Sequence, residues 1–521
     1  MTRATWWLLF VAACAPSALP TTADRPGRPG LPFPGALLGS RPSVALQDLD
    51  TTAFGLDVDG GADVDGDGHL DVIVGAPGGS YDLGRVEVYR GDGEGVDPTA
   101  ARVEQGTNSC FGQEVAIAGD LDGDGFADLL WNEACSRGSA GLVFVKRGGP
   151  NVFDGAFDQE LVGPAFRGFR VDPAGDVNGD GLADVVLSGS GEAYEDGRLM
   201  LHLGTPSGLS EAAADVIGPT LPGHGVGNVA TTLDLDGDGH QDLVVQEFPT
   251  DMAATVTRVV AWRGGPSGYE ETPWQVWEGL VDEGFGTPLA SAGDVDADGD
   301  DELLIGVPWD RRGRGAVEVY LGSPDGPSAA PDQVLLGDVP KGLFGEALLG
   351  AGDLNGDGYG DVLVQSYPQR RGLERVYAFA GGPGGVELMP RQVIAGSSVS
   401  DMFGFAMARA GDMNGDDRAD VWISAYNEEL DDDYPGEGRV YLFHGALDAD
   451  GDGSPSDADC DDDDPTTFPG ATDVPGDGVD QDCDGEDAAT PGDTDEPDSG
   501  AHSGGRDTQG GGGDKPTKRT R

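Results

Sequence analysis

Apolar positions in this chain fall in short runs rather than along long helical faces. Runs such as "VIVGAP" (72–77), "VVLSG" (185–189) and "LLIGVP" (303–308) are continuous and rich in β-branched residues, as in strands buried on both sides. After each a polar loop leads into an alternating strand: "RVEVYRG" from Arg85, "LVFVKRG" from Leu142, "RLMLHLG" from Arg198, "RVVAWRG" from Arg258, "AVEVYLG" from Ala316, "RVYAFAG" from Arg375 and "RVYLFHG" from Arg439. A shorter strand follows, as in "QVWEG" from Gln275, "QVLLG" from Gln333 and "QVIAG" from Gln392. Short strands separated by turn signals predict an all-β fold.

The unit repeats. A nonapeptide opens at Asp63, Asp120, Asp176, Asp234, Asp294, Asp353 and Asp412, at spacings of 57, 56, 58, 60, 59 and 59 residues. Phe-Gly stands nine residues ahead of it in five copies (Phe54, Phe111, Phe285, Phe344, Phe403); Arg167-Gly168 and Gly225-Val226 stand there in copies three and four. Seven units of four strands predict a seven-bladed β-propeller. A β-solenoid would have shorter coils. The chain also shows how the ring closes. "SVALQ" (43–47) matches a fourth strand, whereas the last repeat stops after its third, at "RVYLFHG". The N-terminal strand is therefore expected to complete blade seven and remove an open sheet edge.

Charge narrows the function. The 31 basic and 94 acidic residues give a formal net charge of −63, which excludes nucleic-acid binding through the bulk field. Many acids fall in the nonapeptides, at positions 1, 3, 5 and 9. They are Asp63, Asp65, Asp67 and Asp71; Asp120, Asp122, Asp124 and Asp128; Asp176, Asn178, Asp180 and Asp184; Asp234, Asp236, Asp238 and Asp242. The remaining copies give Asp294, Asp296, Asp298 and Glu302; Asp353, Asn355, Asp357 and Asp361; Asp412, Asn414, Asp416 and Asp420. Three or four acids gathered this closely repel unless neutralised, and a hard cation caged by oxygen answers that need. The carbonyl of position 7 completes the set: His69, Phe126, Leu182, His240, Asp300, Tyr359 and Arg418. Position 12 is apolar in every copy, which excludes an EF-hand. Glycine at position 6 permits the sharp turn, with Asp417 in its place in copy seven.

The ends differ from the repeats. Arg3 and the apolar "ATWWLLFVAA" read as an export signal, too short to span a bilayer as a helix. It ends in Val11-Ala12-Ala13-Cys14, which resembles the lipobox of bacterial lipoproteins, so residues 1–14 read as the signal and Cys14 as a lipidation site. A plain signal peptide is the alternative. Residues 15–42 read as a linker. In an exported chain the other cysteines should pair. Cys110 and Cys135 flank one strand hairpin, and Cys460 and Cys483 lie close together in the acidic tail.

Phe-Gly, the Asp-rich nonapeptide and "VGAP" (74–77) resemble the FG-GAP repeat of integrin α-subunits and bacterial surface proteins. The likeness covers residues 43–445. It implies a propeller with calcium in the loops joining first to second strands, and a ligand bound on the opposite face. On that face lie Trp309, Arg311, Arg312 and Arg314 of blade five, with Tyr367, Arg370 and Arg371 of blade six. They form a candidate patch for an anionic glycan or acidic protein segment; the alternative is that these arginines pair with nearby acids. The segment 446–486 resembles a short Asp/Cys metal-binding motif, with Asp448, Asp450, Asp452, Asp459, Asp477, Asp480 and Asp482 as candidate ligands; an acidic spacer is the other reading. Residues 487–521 are expected to be disordered. No HExxH or GxSxG is present. The expected function is a monomeric, non-catalytic surface binding or adhesion module for a protein or glycan, held to a membrane only through a lipid. A propeller lyase or hydrolase is the alternative.

Overall fold

The computed structural model of the protein describes residues 36–446, apart from 49–52, 79–82, 134–140, 163–166, 191–196, 228, 252, 369–371 and 430–435, together with parts of 459–483. Its strands form seven antiparallel sheets, one per repeat. In blade one the strands Asp57–Ala62, Asp71–Ala76, Arg85–Tyr89 and Arg102–Gln105 are hydrogen-bonded in chain order. Blades two, three, five and six follow the same plan. The second strands Asp71–Ala76, Glu302–Val307, Asp361–Ser366 and Asp420–Ala425 are wholly buried, as their continuous apolar runs require.

The cores lie between blades rather than within them. Ala292, Leu304 and Val317 of blade five pack with Phe344, Val362 and Tyr377 of blade six. Phe-Gly serves this contact. Phe344 is 1% exposed and meets Tyr377 edge-on at 5.3 Å. Gly345 follows at φ +93°, where a Cβ would stand 2.9 Å from the Ala316 carbonyl of the preceding blade. Only glycine accepts both conditions at low cost.

Blade four departs from the four-strand expectation. Its inner strand is split into His224–Gly225 and Ala230–Leu233, both paired with Asp242–Pro249. Gly225-Val226 is also not the equivalent of Phe-Gly. Val226-Gly227 is, one residue later: Val226 is fully buried and Gly227 has φ +94°. The Val226 carbonyl approaches Gly197 as that of Phe111 approaches Gly84 and that of Phe344 approaches Gly315.

Closure occurs as the repeat count required. Val44–Gln47 pairs antiparallel with Arg439–Phe443, Val44 opposite Leu442 and Gln47 opposite Arg439. The packed chain starts earlier, within the stretch read as a linker. Leu37 and Leu38 are buried in the core of blades six and seven. Gln392 grips them, its Oε1 accepting the Leu38 N–H at 2.8 Å and its Nε2 donating to the Leu38 carbonyl at 2.9 Å. The same amide clamp elsewhere holds the loop between third and fourth strands of the next blade, Gln159 on Leu209 and Gln333 on Val386. Blade seven has no such loop, because its fourth strand comes from the N-terminus. Residues 36–39 fill that place.

A chain beginning at Ser43 keeps the closing strand but leaves Gln392 unpaired and loses two buried leucines, each worth about 2 kcal/mol. It should melt well below a chain beginning at Gly35, as differential scanning calorimetry would show. Equal melting points would mean residues 36–39 carry no stability.

Candidate metal centres

Each nonapeptide forms a tight loop between the first and second strands of its blade. Glycine at position 6 is left-handed throughout, from φ +87° at Gly181 to +100° at Gly299, and Asp417 adopts +65° in the seventh copy. The turn aims backbone N–H groups at the position 1 carboxylate. Asp63 accepts Gly66 at 2.7 Å and Gly68 at 2.8 Å; Asp176 and Asp353 do the same with Gly179 and Gly181, and with Gly356 and Gly358.

Position 9 does two jobs. In all seven loops one of its oxygens accepts the N–H of position 2: Val64, Leu121, Val177, Leu235, Val295, Leu354 and Met413, at 2.6–3.1 Å. The other accepts the N–H of the glycine that ends the third strand: Gly91, Gly148, Gly204, Gly264, Gly322, Gly381 and Gly445, at 2.8–3.4 Å. A Cβ on any of these seven glycines would lie 2.2–2.6 Å from the position 8 carbonyl. That explains the glycine closing every third strand, a signal visible in the repeat alignment that sequence reasoning left unused. Burial first, and then neighbouring acids, pushes Asp71 up to about 6, Asp242 to about 7 and Glu302 to about 8.

Position 3 distinguishes the loops. Asp65, Asp122 and Asp236 each hold a guanidinium from the residue just before the closing glycine: Arg90 at 2.7 Å, Arg147 at 3.2 Å and Arg263 at 3.1 Å. Loops with Asn178, Asn355 and Asn414 have Leu203, Ala380 and His444 there instead, and each asparagine amide donates to the position 5 carboxylate. The arginine thus offsets the extra acid. Blade five alone combines Asp296 with an uncharged residue, Leu321.

The set fits a hard divalent cation. One carboxylate oxygen from each of Asp63, Asp65 and Asp71 lies within 4.8 Å of the others, and the same holds for Asp120, Asp122 and Asp128, for Asp234, Asp236 and Asp242, and for Asp294, Asp296 and Asp298. Oδ1 of Asp236 and Oδ1 of Asp296 are buried with no hydrogen-bond donor. An orphaned, buried carboxylate oxygen costs free energy that a cation recovers. The position 7 side chains Phe126, Leu182 and His240 each lie over the position 4 glycine of the preceding loop, whereas the Arg418 guanidinium reaches the position 5 carboxylate of Asp416 in its own loop at 2.7 Å.

Neighbouring loops are tied to one another. The position 8 N–H donates to the position 1 carbonyl of the preceding blade at Ala183→Asp120 (2.8 Å), Asp301→Asp234 (2.8 Å), Gly360→Asp294 (3.0 Å) and Ala419→Asp353 (2.8 Å). All seven loops share one face of the disc, since each joins a first strand to a second. Another set of acids lies on the inner strands. Asp57, Asp59 and Glu114 accept the N–H groups of Val115, Ile117 and Val171 of the next blade at 2.9, 2.9 and 3.2 Å. Burial raises them to about 7, 6 and 8, with Arg170 partly countering it at Asp57 and Glu114. These acids tie inner strands together.

Of the other predicted residues, Cys110 is disulfide-bonded, while Cys135 lies outside the described residues, as do Cys14, Arg370, Arg371, Asp448, Asp450, Asp452 and Asp477. Cys460 and Cys483 form a disulfide, so their sulfurs are not free metal ligands although Asp459 lies beside them. Trp309 is 44% exposed and Arg314 is exposed, Tyr367 is half-buried, and the side chains of Arg311 and Arg312 are not described.

Fold and loops together define a seven-bladed β-propeller with one aspartate-rich loop per blade. The family of the FG-GAP-like repeat matches residues 63–131, 176–245 and 290–364, and a metal-binding motif matches residues 459–488. The chain carries FG-GAP repeats in its propeller and that motif behind them. It is 33% identical over 277 residues to Integrin alpha-PS2 of Drosophila melanogaster, covering 50% of this chain and 19% of that one. It is 33% identical over 170 residues to Integrin alpha-5 of Xenopus laevis, covering 30% and 16%. The chain thus spans less than a fifth of the length of these relatives. The solved "Structure of Dos1 propeller" aligns with a TM-score of 0.42 at 8% identity, over 79% of this chain and 94% of that one.

Binding to the native state alone stabilises by mass action. Chelation with EDTA at moderate salt should therefore lower the melting temperature, and added calcium should restore it. A melting curve unmoved by chelator would mean the loops are not occupied structural sites.

Proposed function

We propose that the protein is an exported, calcium-stabilised binding module whose face opposite the metal loops takes an extracellular protein or anionic glycan. The observation that carries this reading is the division of labour between the two faces. One face is consumed by seven loops locked by the same backbone bonds. The other bears loops whose sequences vary from blade to blade, the shortest at residues 250–255 in blade four and the longest at 426–438 in blade seven. Loops free to vary on a rigid scaffold are where recognition concentrates.

On the variable face, blades five and six offer an exposed aromatic, Trp309, beside Arg314. Next to it is a cleft of about 130 Å³ lined by Val339, Pro340, Lys341, Pro368, Gly372, Leu373 and Arg375. Arg311, Arg312, Arg370 and Arg371 belong by sequence to the same two loops, and their number supports reading this region as cationic on a strongly acidic protein, even with Glu346 beside Trp309. Guanidinium groups suit bidentate recognition of carboxylate or sulfate. Calcium in the loops would supply stiffness to the disc and no chemistry to the ligand.

Replacing Arg311, Arg312, Arg370 and Arg371 together with Ser should abolish binding on an array of acidic glycans and leave calcium-dependent melting unchanged. Binding equal to that of the parent would place the ligand elsewhere.

A further inference from the structure

Glycine precedes the third strand in five blades: Gly84, Gly141, Gly197, Gly315 and Gly438. At four of them a Cβ would stand 1.9–2.2 Å from a carbonyl at the start of a neighbouring blade's inner strand. Blade four has Thr257 here, and blade six has Glu374. A long acid stands where most blades admit no side chain at all, and it is only 2% exposed.

Glu374 does not stand alone. Its carboxyl lies within hydrogen-bonding range of that of Asp401, which is 1% exposed and precedes Phe403 of blade seven. Asp401 also accepts the N–H of Ser398 at 2.9 Å and of Phe403 at 3.2 Å. Glu428, 8% exposed, joins them through Ser397, whose hydroxyl lies 3.0 Å from Glu428 Oε1 and 3.3 Å from Asp401 Oδ2. Arg439 lies 3.6 Å from Glu428, and Tyr441 donates its hydroxyl to the same acid. Glu374 Oε2 has no hydrogen-bond donor.

Two carboxyls facing each other in a buried site hold together through a shared proton or through a cation. The backbone N–H groups and the hydroxyls of Ser397 and Tyr441 satisfy Asp401 and Glu428 in part, while the Glu374 carboxyl, set against Asp401 and the Ser400 backbone, keeps Oε2 buried with no donor. Calcium takes six to eight oxygens, several of them from water. Here Glu374, Asp401, Glu428 and the Ser397 hydroxyl supply four residues' worth, beneath the exposed loop 398–400 through which water can enter.

We propose that Glu374, Asp401, Glu428 and Ser397 form an additional site for a hard, calcium-sized cation, between blades six and seven on the face opposite the nonapeptide loops. It shares no residue with those loops or with the arginine region. A cation here would fasten the loop leading into blade seven to the blade six loop, beside the junction where the ring is closed by the N-terminal strand. Burial, then the neighbouring Asp401, raises the Glu374 carboxyl to about 7.

Native mass spectrometry, from solutions equilibrated at about 1 mM free calcium, a level that fills weak extracellular sites, counts bound ions directly. The parent should hold one calcium more than either Glu374→Gly or Glu374→Gln. The glycine variant restores what five other blades carry and should fold; the glutamine variant keeps the volume and removes the charge. Because both variants retain all seven loops, the difference reads this site whatever the loops bind. Equal counts would overturn the proposal. So would a Glu374→Gly chain whose melting point exceeds the parent's increasingly from pH 5 to pH 8, to the same extent with and without calcium. That result would identify a proton-sharing pair: an acid whose native pKa is raised costs stability as pH climbs from its ordinary value toward the raised one.

Discussion

The structure depends on one interaction repeated seven times: a buried carboxylate that binds two backbone N–H groups at once. The ninth residue of each nonapeptide accepts the second residue of its own loop and the glycine at the end of the third strand. It thereby fastens the loop, the start of the second strand and the end of the third strand into one corner of the blade. A buried carboxylate is costly even with two donors, and its neighbours in the loop are carboxylates too. Arginine offsets part of that charge in some loops, and a cation in the loop would offset the rest. Backbone geometry and metal chemistry are therefore the same constraint seen from two sides.

From that corner the rest follows. The closing glycine exists because the chain passes within a Cβ's reach of the position 8 carbonyl. From blade three to blade seven, position 8 in turn donates to the loop of the preceding blade, so these loops are linked in sequence along one face. Phe-Gly does the matching work at the other end of the inner strand, the ring filling the space between blades and the glycine yielding to a neighbouring carbonyl. The variable loops lie on that other face, where the Phe-Gly carbonyls crowd their final residue in four blades and leave the rest of each loop free to vary.

Much of this was legible in the sequence because it is periodic. Seven evenly spaced nonapeptides gave the blade number, and the unmatched first strand gave the closure. What stayed hidden was contact between residues far apart in the repeat. The pairing of Arg90, Arg147 and Arg263 with an aspartate at position 3 could have been read from the copies side by side, since the asparagine loops lack the arginine. Residues 36–39 could not, because "GALLG" carries no signal that Gln392 will hold it. Blade four misled for a local reason: Val226-Gly227 does the work of Phe-Gly one residue out of frame. The acidic group around Glu374 belongs to two different repeats, and only folding brings its members together.

The central claim is that cations in the loops brace one face of the disc while the other remains free to recognise a ligand. Amide hydrogen exchange, followed by mass spectrometry with and without calcium, tests it most directly. Slow exchange with calcium is expected at position 2 of every nonapeptide and at the glycine closing every third strand. On chelation those amides should exchange far faster, while those of the third-to-fourth strand ladders change less. Protection of the nonapeptide amides that is indifferent to calcium would contradict the account.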